Sequence, residues 1–160
     1  MEYRTERLIL RAVTEDDMEE VRRTWPSGPH PLTAEDARAV IARMERDRGK
    51  NTAGSIHHLC LAVCRAEDPR TLLGWCGLDG TRSSAEPEIF ILLEEEHRGR
   101  GFGTECVREL LRIATADFRL HSVHGGCSRD NPASRRAMEK GGMVFYGTED
   151  NGDPLFRYPA

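Results

Sequence analysis

Long apolar segments are missing from this 160-residue sequence. No apolar run approaches the roughly 20 residues that a helix needs to cross a bilayer. Residues Met1 to Glu6 lack the basic and then apolar pattern of a secretory signal. We therefore expect a cytoplasmic protein that does not bind membranes. An excess of positive charge is also missing, because 27 acidic against 23 basic residues give a net charge of −4, which argues against a general nucleic-acid binder.

The cysteines lack the pattern of a disulfide framework. There are five of them, an odd number, with no C-x-x-C pair, so we expect reduced thiols. His57 and His58 stand close to Cys60, but adjacent side chains on a strand point to opposite faces, which argues against a zinc site. We expect no bound metal. The length fits a single domain over residues 1–160, large enough to bury a substantial core.

Strand-like apolar segments alternate with helical patterns and turn-rich loops. This order predicts an α/β (α+β) fold in which three successive strands form an antiparallel meander. Helices are predicted after Thr14, after Thr33, after the glycine-rich stretch near residue 100, and after Asn131, where Pro132 follows the N-cap. Strands are predicted at Leu8–Ala12, His57–Cys64, Thr71–Leu78, Glu86–Leu93, His121–Cys127, Met143–Tyr146 and Leu155–Tyr158.

The most informative segment is Arg98-Gly99-Arg100-Gly101-Phe102-Gly103-Thr104, between a strand pattern and a helical pattern. Its glycines allow successive N–H groups to turn toward an anion, and the following helix adds its own free N–H groups. A nucleoside-triphosphate loop would need G-x-x-x-x-G-K-[ST], and a dinucleotide site would need G-x-G-x-x-G; neither pattern is present. A turn that merely joins strand to helix is the alternative to a phosphate site.

Other segments carry further signals in a fixed order. They are Thr5-Glu6-Arg7-Leu8-Ile9-Leu10-Arg11, Gly103-Thr104-Glu105, and Asn131-Pro132-Ala133-Ser134 followed by Glu139-Lys140-Gly141-Gly142-Met143. Together with Arg98, Gly101 and Gly103 in the R/Q-x-x-G-x-G/A pattern, they resemble the GNAT superfamily of N-acetyltransferases. The resemblance is to the branch that includes ribosomal-protein N-terminal acetyltransferases.

The resemblance implies a mixed, mostly antiparallel central sheet flanked by helices, and acetyl-CoA as acyl donor. Backbone amides from Arg98 through Gly99, Arg100, Gly101, Phe102 and Gly103 to Thr104 would hold the CoA pyrophosphate. The strand Glu88–Leu93 would diverge from the strand His121–Cys127, which leaves backbone groups of Ile91, Leu92 and Leu93 free to pair with the pantetheine arm. Asn131 and Ser134 would lie beside that arm, although Asn131 also has a sufficient role as a helix N-cap.

Direct acetyl transfer to an amine needs a group that takes a proton from the incoming ammonium. Glu88, on the strand that leads into the glycine loop, is the preferred base; the alternative is an exposed edge glutamate. Glu86, two residues earlier and so on the same strand face, is second. Many relatives carry a tyrosine where this sequence has Met138, which cannot donate a proton. Ser134 is then the candidate donor, ahead of Tyr146, which we expect to pack in the last sheet.

The sequence thus predicts an N-acetyltransferase that moves an acetyl group from acetyl-CoA to a primary amine, on a protein N-terminus or a small molecule. A non-catalytic acyl-CoA sensor or interaction module remains the alternative, because the usual tyrosine is missing. The identity of the acceptor is not encoded in any motif. A homodimer is compatible with the resemblance, since related proteins are often dimers.

Overall fold

Eight strands form one sheet in the computed structural model, which describes residues 1–159. Their spatial order is β1-β2-β3-β4-β5-β6-β8-β7, and every neighbouring pair is antiparallel except β5 and β6. The strands are β1 (Glu2–Arg4), β2 (Leu8–Ala12), β3 (His58–Arg65), β4 (Leu72–Asp79), β5 (Glu88–Leu93), β6 (Val123–Gly126), β7 (Val144–Thr148) and β8 (Pro154–Tyr158).

Helices cover both faces of this sheet. Within the described residues they are α1 (Met18–Thr24), α2 (Ala34–Arg48), α3 (Phe102–Arg112), which continues into a π-helical turn at Ile113–Asp117, and α4 (Pro132–Gly141). The predicted mostly antiparallel sheet flanked by helices is confirmed, including the β3-β4-β5 meander. None of the helices in residues 1–159 has the length and apolar character needed to cross a bilayer.

Two elements differ from the sequence prediction. The short strand β1 was not predicted, because its three residues carry one half-buried side chain, Tyr3, and pairing with β2 supplies the rest of its stability. Strand β5 begins at Glu88 rather than Glu86. Glu86 therefore lies in the bend before the strand, and the prediction that it belongs to the strand is wrong.

The two faces of the sheet bury separate apolar clusters. One cluster joins β-strand residues to α3 and α4, through side chains such as Val107, Leu110 and Met138. The other joins the opposite face to α1 and α2, through Val21, Ile41 and neighbours. Along β5, Ile89 belongs to the first cluster, whereas Phe90 packs against the second, as strand alternation requires. Glu88 and Leu92 consequently share the α1 and α2 face with Phe90.

One buried ion pair fixes the start of the first helical segment. The Asp17 side chain is 7% exposed and accepts from both terminal nitrogens of Arg11, at 2.7 and 2.8 Å, and from the Thr14 N–H at 2.9 Å. Burial raises the pKa of Asp17, but the hydrogen bonds from Arg11 and Thr14 outweigh it and hold that pKa below its ordinary value. Strand β2 is thereby tied to the turn that precedes α1.

We expect Asp17→Ala to lower the free energy of unfolding by about 3 kcal/mol, because it leaves the half-buried Arg11 charge without its partner. Urea unfolding measures this loss. Since the pKa of Asp17 is depressed in the folded state, its contribution is present above the unfolded pKa of about 3.9 and is lost as pH falls through the folded value. Asp16→Ala, at an exposed neighbour, is the control and should change little.

Candidate active site

Strands β5 and β6 touch at a single position and then separate. Glu88 lies opposite His124, and the His124 N–H donates to the Pro87 carbonyl at 2.9 Å. Beyond this point β5 stays paired with β4 as far as Leu93, while β6 stays paired with β8 as far as Gly126. The sheet therefore forks after Glu88 and His124, as the resemblance implied, and a gap opens between the two strands.

The backbone of β5 lines one side of this gap. The Glu94 N–H donates to the Leu73 carbonyl of β4 at 2.9 Å, and Leu93 stands opposite Gly74. Because backbone polar groups alternate in direction along a strand, those of Ile91 and Leu93 point toward the gap, while those of Leu92 point toward β4. The expectation that the backbone groups of Leu92 are free is therefore wrong. The Leu93 carbonyl accepts from Arg98 Nε at 2.9 Å. Ile91 thus offers the gap a donor and an acceptor.

The glycine loop follows β5 and leads into α3. Gly99 and Gly101 have φ of 75° and 81°, left-handed values that favour glycine. The first hydrogen bond of α3 runs from the Glu105 N–H to the Gly101 carbonyl, at 3.2 Å. The N–H groups of residues 102–104 therefore have no helical acceptor and point out of the helix N-terminus, where the helix dipole favours an anion.

The backbone amide of Arg98 is not free to bind an anion, in contrast to the sequence prediction. Its N–H donates to the Glu95 carbonyl at 3.2 Å, so that amide is already used within the chain. The free amides of the loop accordingly begin after Arg98, and the most favourable set is the first turn of α3.

An ion pair clamps the loop to the start of the chain. Arg7 Nε donates to Glu105 Oε2 and the Arg7 N–H donates to Glu105 Oε1, each at 2.8 Å, while the Thr5 hydroxyl donates to the same carboxylate. Arg7 also donates to the Arg100 carbonyl at 2.8 Å, and its guanidinium lies 4.6 Å from the Phe102 ring centre. Burial raises the pKa of Glu105, but the Thr5 and Arg7 hydrogen bonds hold it below its ordinary value.

Glu88 and His124 project from the fork onto the α1 and α2 face. The Glu88 carboxylate is 44% exposed and lies 3.2 Å from Arg82. His124 Nδ1 lies 3.3 Å from the Tyr146 hydroxyl, and its Nε2 lies 3.9 Å from Glu86. Glu88 and His124 thus stand on paired positions of neighbouring strands where the gap closes.

A cleft of about 350 Å³ opens at the other end of β5. Its walls include Leu92, which is 43% exposed, and Pro26 from the loop after α1. Trp25 does not line it; its ring packs edge-on against Trp75, with centroids 6.0 Å apart.

A family model described as an acetyltransferase (GNAT) domain matches residues 7–144. The chain belongs to the GNAT acetyltransferase family. The predicted family is confirmed, and members of this family use acetyl-CoA as donor. No curated protein matches the chain in sequence.

Solved structures share the fold of this GNAT protein over nearly its whole length. An acetyltransferase from Agrobacterium tumefaciens str. C58 has a TM-score of 0.71 at 25% identity, covering 100% of this chain and 95% of its own. The ribosomal-protein-S5-alanine acetyltransferase of Vibrio fischeri has a TM-score of 0.78 at 15% identity, with coverages of 98% and 95%. A mutant spermidine N-acetyltransferase from Vibrio cholerae gives 0.69 at 18% identity, with coverages of 96% and 94%.

Helix α4 and its N-cap supply two of the predicted site residues of the GNAT protein, Asn131 and Ser134. Asn131 accepts from the Ser134 N–H at 3.1 Å, so its side chain caps the helix. Gly103 in the first turn of α3 is packed so closely that a Cβ there would lie 3.4 Å from Ala137 Cβ. Ser134, one turn before Ala137, is therefore near the glycine loop. Met138 is 7% exposed and packs beneath the fork, against Gly125.

Tyr146 does not pack inside the last sheet, and that expectation is wrong. Strand β7 is the outermost strand, and its face at Tyr146 is open, so the side chain is 43% exposed. The hydroxyl reaches across to His124 on β6. Neither alternation along β6 nor the edge position of β7 could reveal this pairing, because the two residues are 22 positions apart.

We expect Glu105→Ala to release the glycine loop and to lower the free energy of unfolding by about 2 kcal/mol, since it removes charge-assisted hydrogen bonds from Thr5 and Arg7. Amide hydrogen exchange at residues 101–104 should become faster. Glu109→Ala, one turn later on α3 and paired with Arg112 of the same helix, is the control. Equal exchange rates in the two variants would show that the ion pair does not hold the loop.

Proposed function

We propose that this protein transfers the acetyl group of acetyl-CoA directly to a primary amine, either a protein N-terminus or a small amine. The observation that carries the proposal is the fork between β5 and β6, whose open end faces the free amides of α3. A long acyl-CoA arm fits such a gap because its amides need backbone partners along their length.

The donor would bind in an extended form. Its pyrophosphate would accept hydrogen bonds from residues 102–104, with Arg100 adding positive charge. The arm would then run back along β5, pairing with Ile91, toward Glu88. Five residue steps separate Leu93 from Glu88, so the gap is about 16 Å long. The thioester would lie near the fork, and Ser134 would lie alongside the arm.

Glu88 is our candidate for the group that deprotonates the incoming ammonium. It stands at the closed end of the gap and on the face from which Leu92 is accessible. Once neutral, the amine attacks the thioester carbonyl, the carbon–nitrogen bond forms, and the carbon–sulfur bond breaks. No covalent intermediate with the protein is needed.

The acceptor class rests on family membership and on two kinds of structural neighbour. One is named as acting on a ribosomal protein's alanine, the other on spermidine, and both substrates present a primary amine. We therefore extend the proposal to primary amines as a class. A sensor that binds acetyl-CoA without turnover is the second candidate, favoured by Met138 at the position where many relatives carry a tyrosine.

Free thiol release tests the proposal. The full chain is incubated with acetyl-CoA and a panel of polyamines, small amines and peptides with free N-termini, and thiol is followed with a chromogenic disulfide. Thiol release that depends on one of these amines supports the transferase. Tight acetyl-CoA binding by calorimetry with no release across the panel supports the sensor, and absence of binding contradicts both.

We expect Gly101→Glu to weaken CoA binding on the order of 100-fold, because it places a carboxylate beside the free amides of α3. Calorimetry with CoA measures the loss. Gly54→Glu is the control for backbone strain, since Gly54 has φ of 78° against 81° at Gly101. Nothing lies within 4 Å of a Cβ at Gly54, whereas a Cβ at Gly101 would lie 3.2 Å from Arg7 Nη2. The two variants carry similar backbone strain. Comparable CoA affinities in both would therefore show that the glycine loop is not the phosphate site.

We expect Glu88→Gln to lower kcat about 100-fold and to flatten the acid limb of the pH–rate profile, because an amide cannot accept the ammonium proton. CoA affinity should stay the same. Glu149→Gln is the control, since Glu149 lies 4.0 Å from the same Arg82 but follows β7 rather than standing on β5. An unaltered profile in Glu88→Gln would exclude this carboxylate as the base.

A further inference from the structure

We infer that Met138, together with Met143 and Ile89, limits the acyl group that this protein transfers to two carbons. These three side chains close the gap between β5 and β6 from the α3 and α4 face, at the end where the thioester would lie. The inference rests on the proposed function, because it concerns the donor bound in the same gap. It gives a role to the methionine that stands where many relatives carry a tyrosine.

The closed end of the gap is defined by the residues at which it begins. Glu88 and His124 form the one pair that joins β5 to β6. Ile89 and Gly125 follow them and are the first residues on either side of the gap. A Cβ on Gly125 would lie 3.1 Å from Ile89 Cγ2, so the two strands are still close together at this point. A donor that runs along β5 toward Glu88 would bring its acyl group to these two residues.

Two methionines fill the space beneath Gly125. A Cβ on Gly125 would lie 3.2 Å from Met138 Sδ and 3.2 Å from Met143 Cε. Contacts this short leave no room for an additional carbon unless a neighbour moves. Met138 and Met143 are 7% and 3% exposed, and both belong to the apolar cluster that contains Ile89. We call Ile89, Met138 and Met143 the acyl floor.

The packing of α4 fixes the acyl floor. The Met143 N–H donates to the Met138 carbonyl at 2.9 Å, so the two methionines are joined at the turn that ends the helix. Gly141, three residues after Met138, lies so close to α3 that a Cβ there would collide with Val107. Moving Met138 away from the gap would therefore separate two closely packed helices, which costs free energy.

The other sides of the closed end offer a longer acyl chain no pocket. Straight ahead, the gap ends at the paired residues Glu88 and His124. The α1 and α2 face is open there, with the Glu88 side chain 44% exposed. In the proposed function this face receives the amine, so extra carbons placed on it would occupy the position of the acceptor. We therefore expect longer acyl-CoA donors to bind and to react slowly.

Three donors test the inference in the wild-type protein, with the amine that the thiol assay identifies. We expect kcat/KM to fall about tenfold from acetyl-CoA to propionyl-CoA and about 100-fold to butyryl-CoA, because the added methylenes have no pocket. Affinities by calorimetry should agree within about threefold, since carbons on an open face bury little apolar surface. A wild-type protein that uses butyryl-CoA as well as acetyl-CoA would overturn the inference.

Met138→Ala should open the acyl floor to longer chains. An apolar cavity that stays dry takes up apolar groups, so two buried methylenes should make butyryl-CoA bind this variant about tenfold more tightly than acetyl-CoA. The preference in kcat/KM for acetyl-CoA over butyryl-CoA should fall from about 100-fold to less than about tenfold. The affinity measurement does not depend on turnover.

Met44→Ala is the matched control. Met44 is 3% exposed and lies on α2, in the apolar cluster on the other face of the sheet. Its truncation also leaves a cavity in the core, but away from the gap, so the donor preference should remain that of wild type. The same preference in Met138→Ala and Met44→Ala would show that Met138 does not limit the acyl group. Met138→Val, which removes less volume, serves if the alanine variant does not fold.

The wild-type measurements separate the two levels of inference. If wild type binds no CoA, the proposed function fails and the acyl floor fails with it. If it binds acetyl-CoA but acetylates no amine, the function fails, and the affinities of Met138→Ala for the two donors still test the acyl floor. If wild type acetylates an amine and Met138→Ala keeps the wild-type donor preference, the function stands and only the role of Met138 is overturned.

Discussion

The separation of β5 from β6 is the constraint on which the site depends. Each strand has a stronger partner elsewhere: six residue pairs join β5 to β4, and four join β6 to β8, against one between β5 and β6. The Pro87 carbonyl accepts one hydrogen bond from β6. Because proline has no N–H, Pro87 cannot donate a second hydrogen bond that would continue the strand pairing before Glu88. The sheet is therefore held together at Glu88 and His124 and is open beyond them. Unpaired backbone groups in the middle of a sheet are costly unless water or a ligand satisfies them, which supports our proposal that a ligand with amides of its own binds in the gap.

The clamp between Arg7 and Glu105 explains why two distant motifs occur together. Thr5 and Arg7 belong to the turn into β2, and Glu105 belongs to the first turn of α3. In the folded protein they form one hydrogen-bonded group, and Arg7 also holds the carbonyl of Arg100 within the glycine loop. For the anion site that we propose in this loop, a conformation that is fixed in advance means that less of the binding energy is used to order the loop. The start of the chain provides that order.

Sequence reasoning recovered what local chemistry determines. Thr33 and Asn131 cap their helices through hydrogen bonds to the third following residue, and the meander follows from apolar strands separated by turns. Sequence reasoning failed where contacts between distant segments decide the conformation or the pairing of a residue. Glu86 continues the strand pattern, yet the proline after it limits pairing and the residue bends away. The pairing of Tyr146 with His124 depends on the order β6-β8-β7, in which the last hairpin places β8 between them. No spacing in the sequence encodes that order.

The fork also explains how this chain can have a methionine at position 138. Side chains reach the gap from two sheet faces, and the α4 face is part of the main apolar core, where Met138 packs against Gly125 and Ile89. A polar group there would need a buried partner, and the free energy cost of leaving it without one is about 1–3 kcal/mol. The opposite face is open to solvent at Tyr146 and carries Glu88, Glu86 and His124. In the proposed function the base Glu88 stands on that open face and requires no buried charge, so the core beneath the fork can remain apolar.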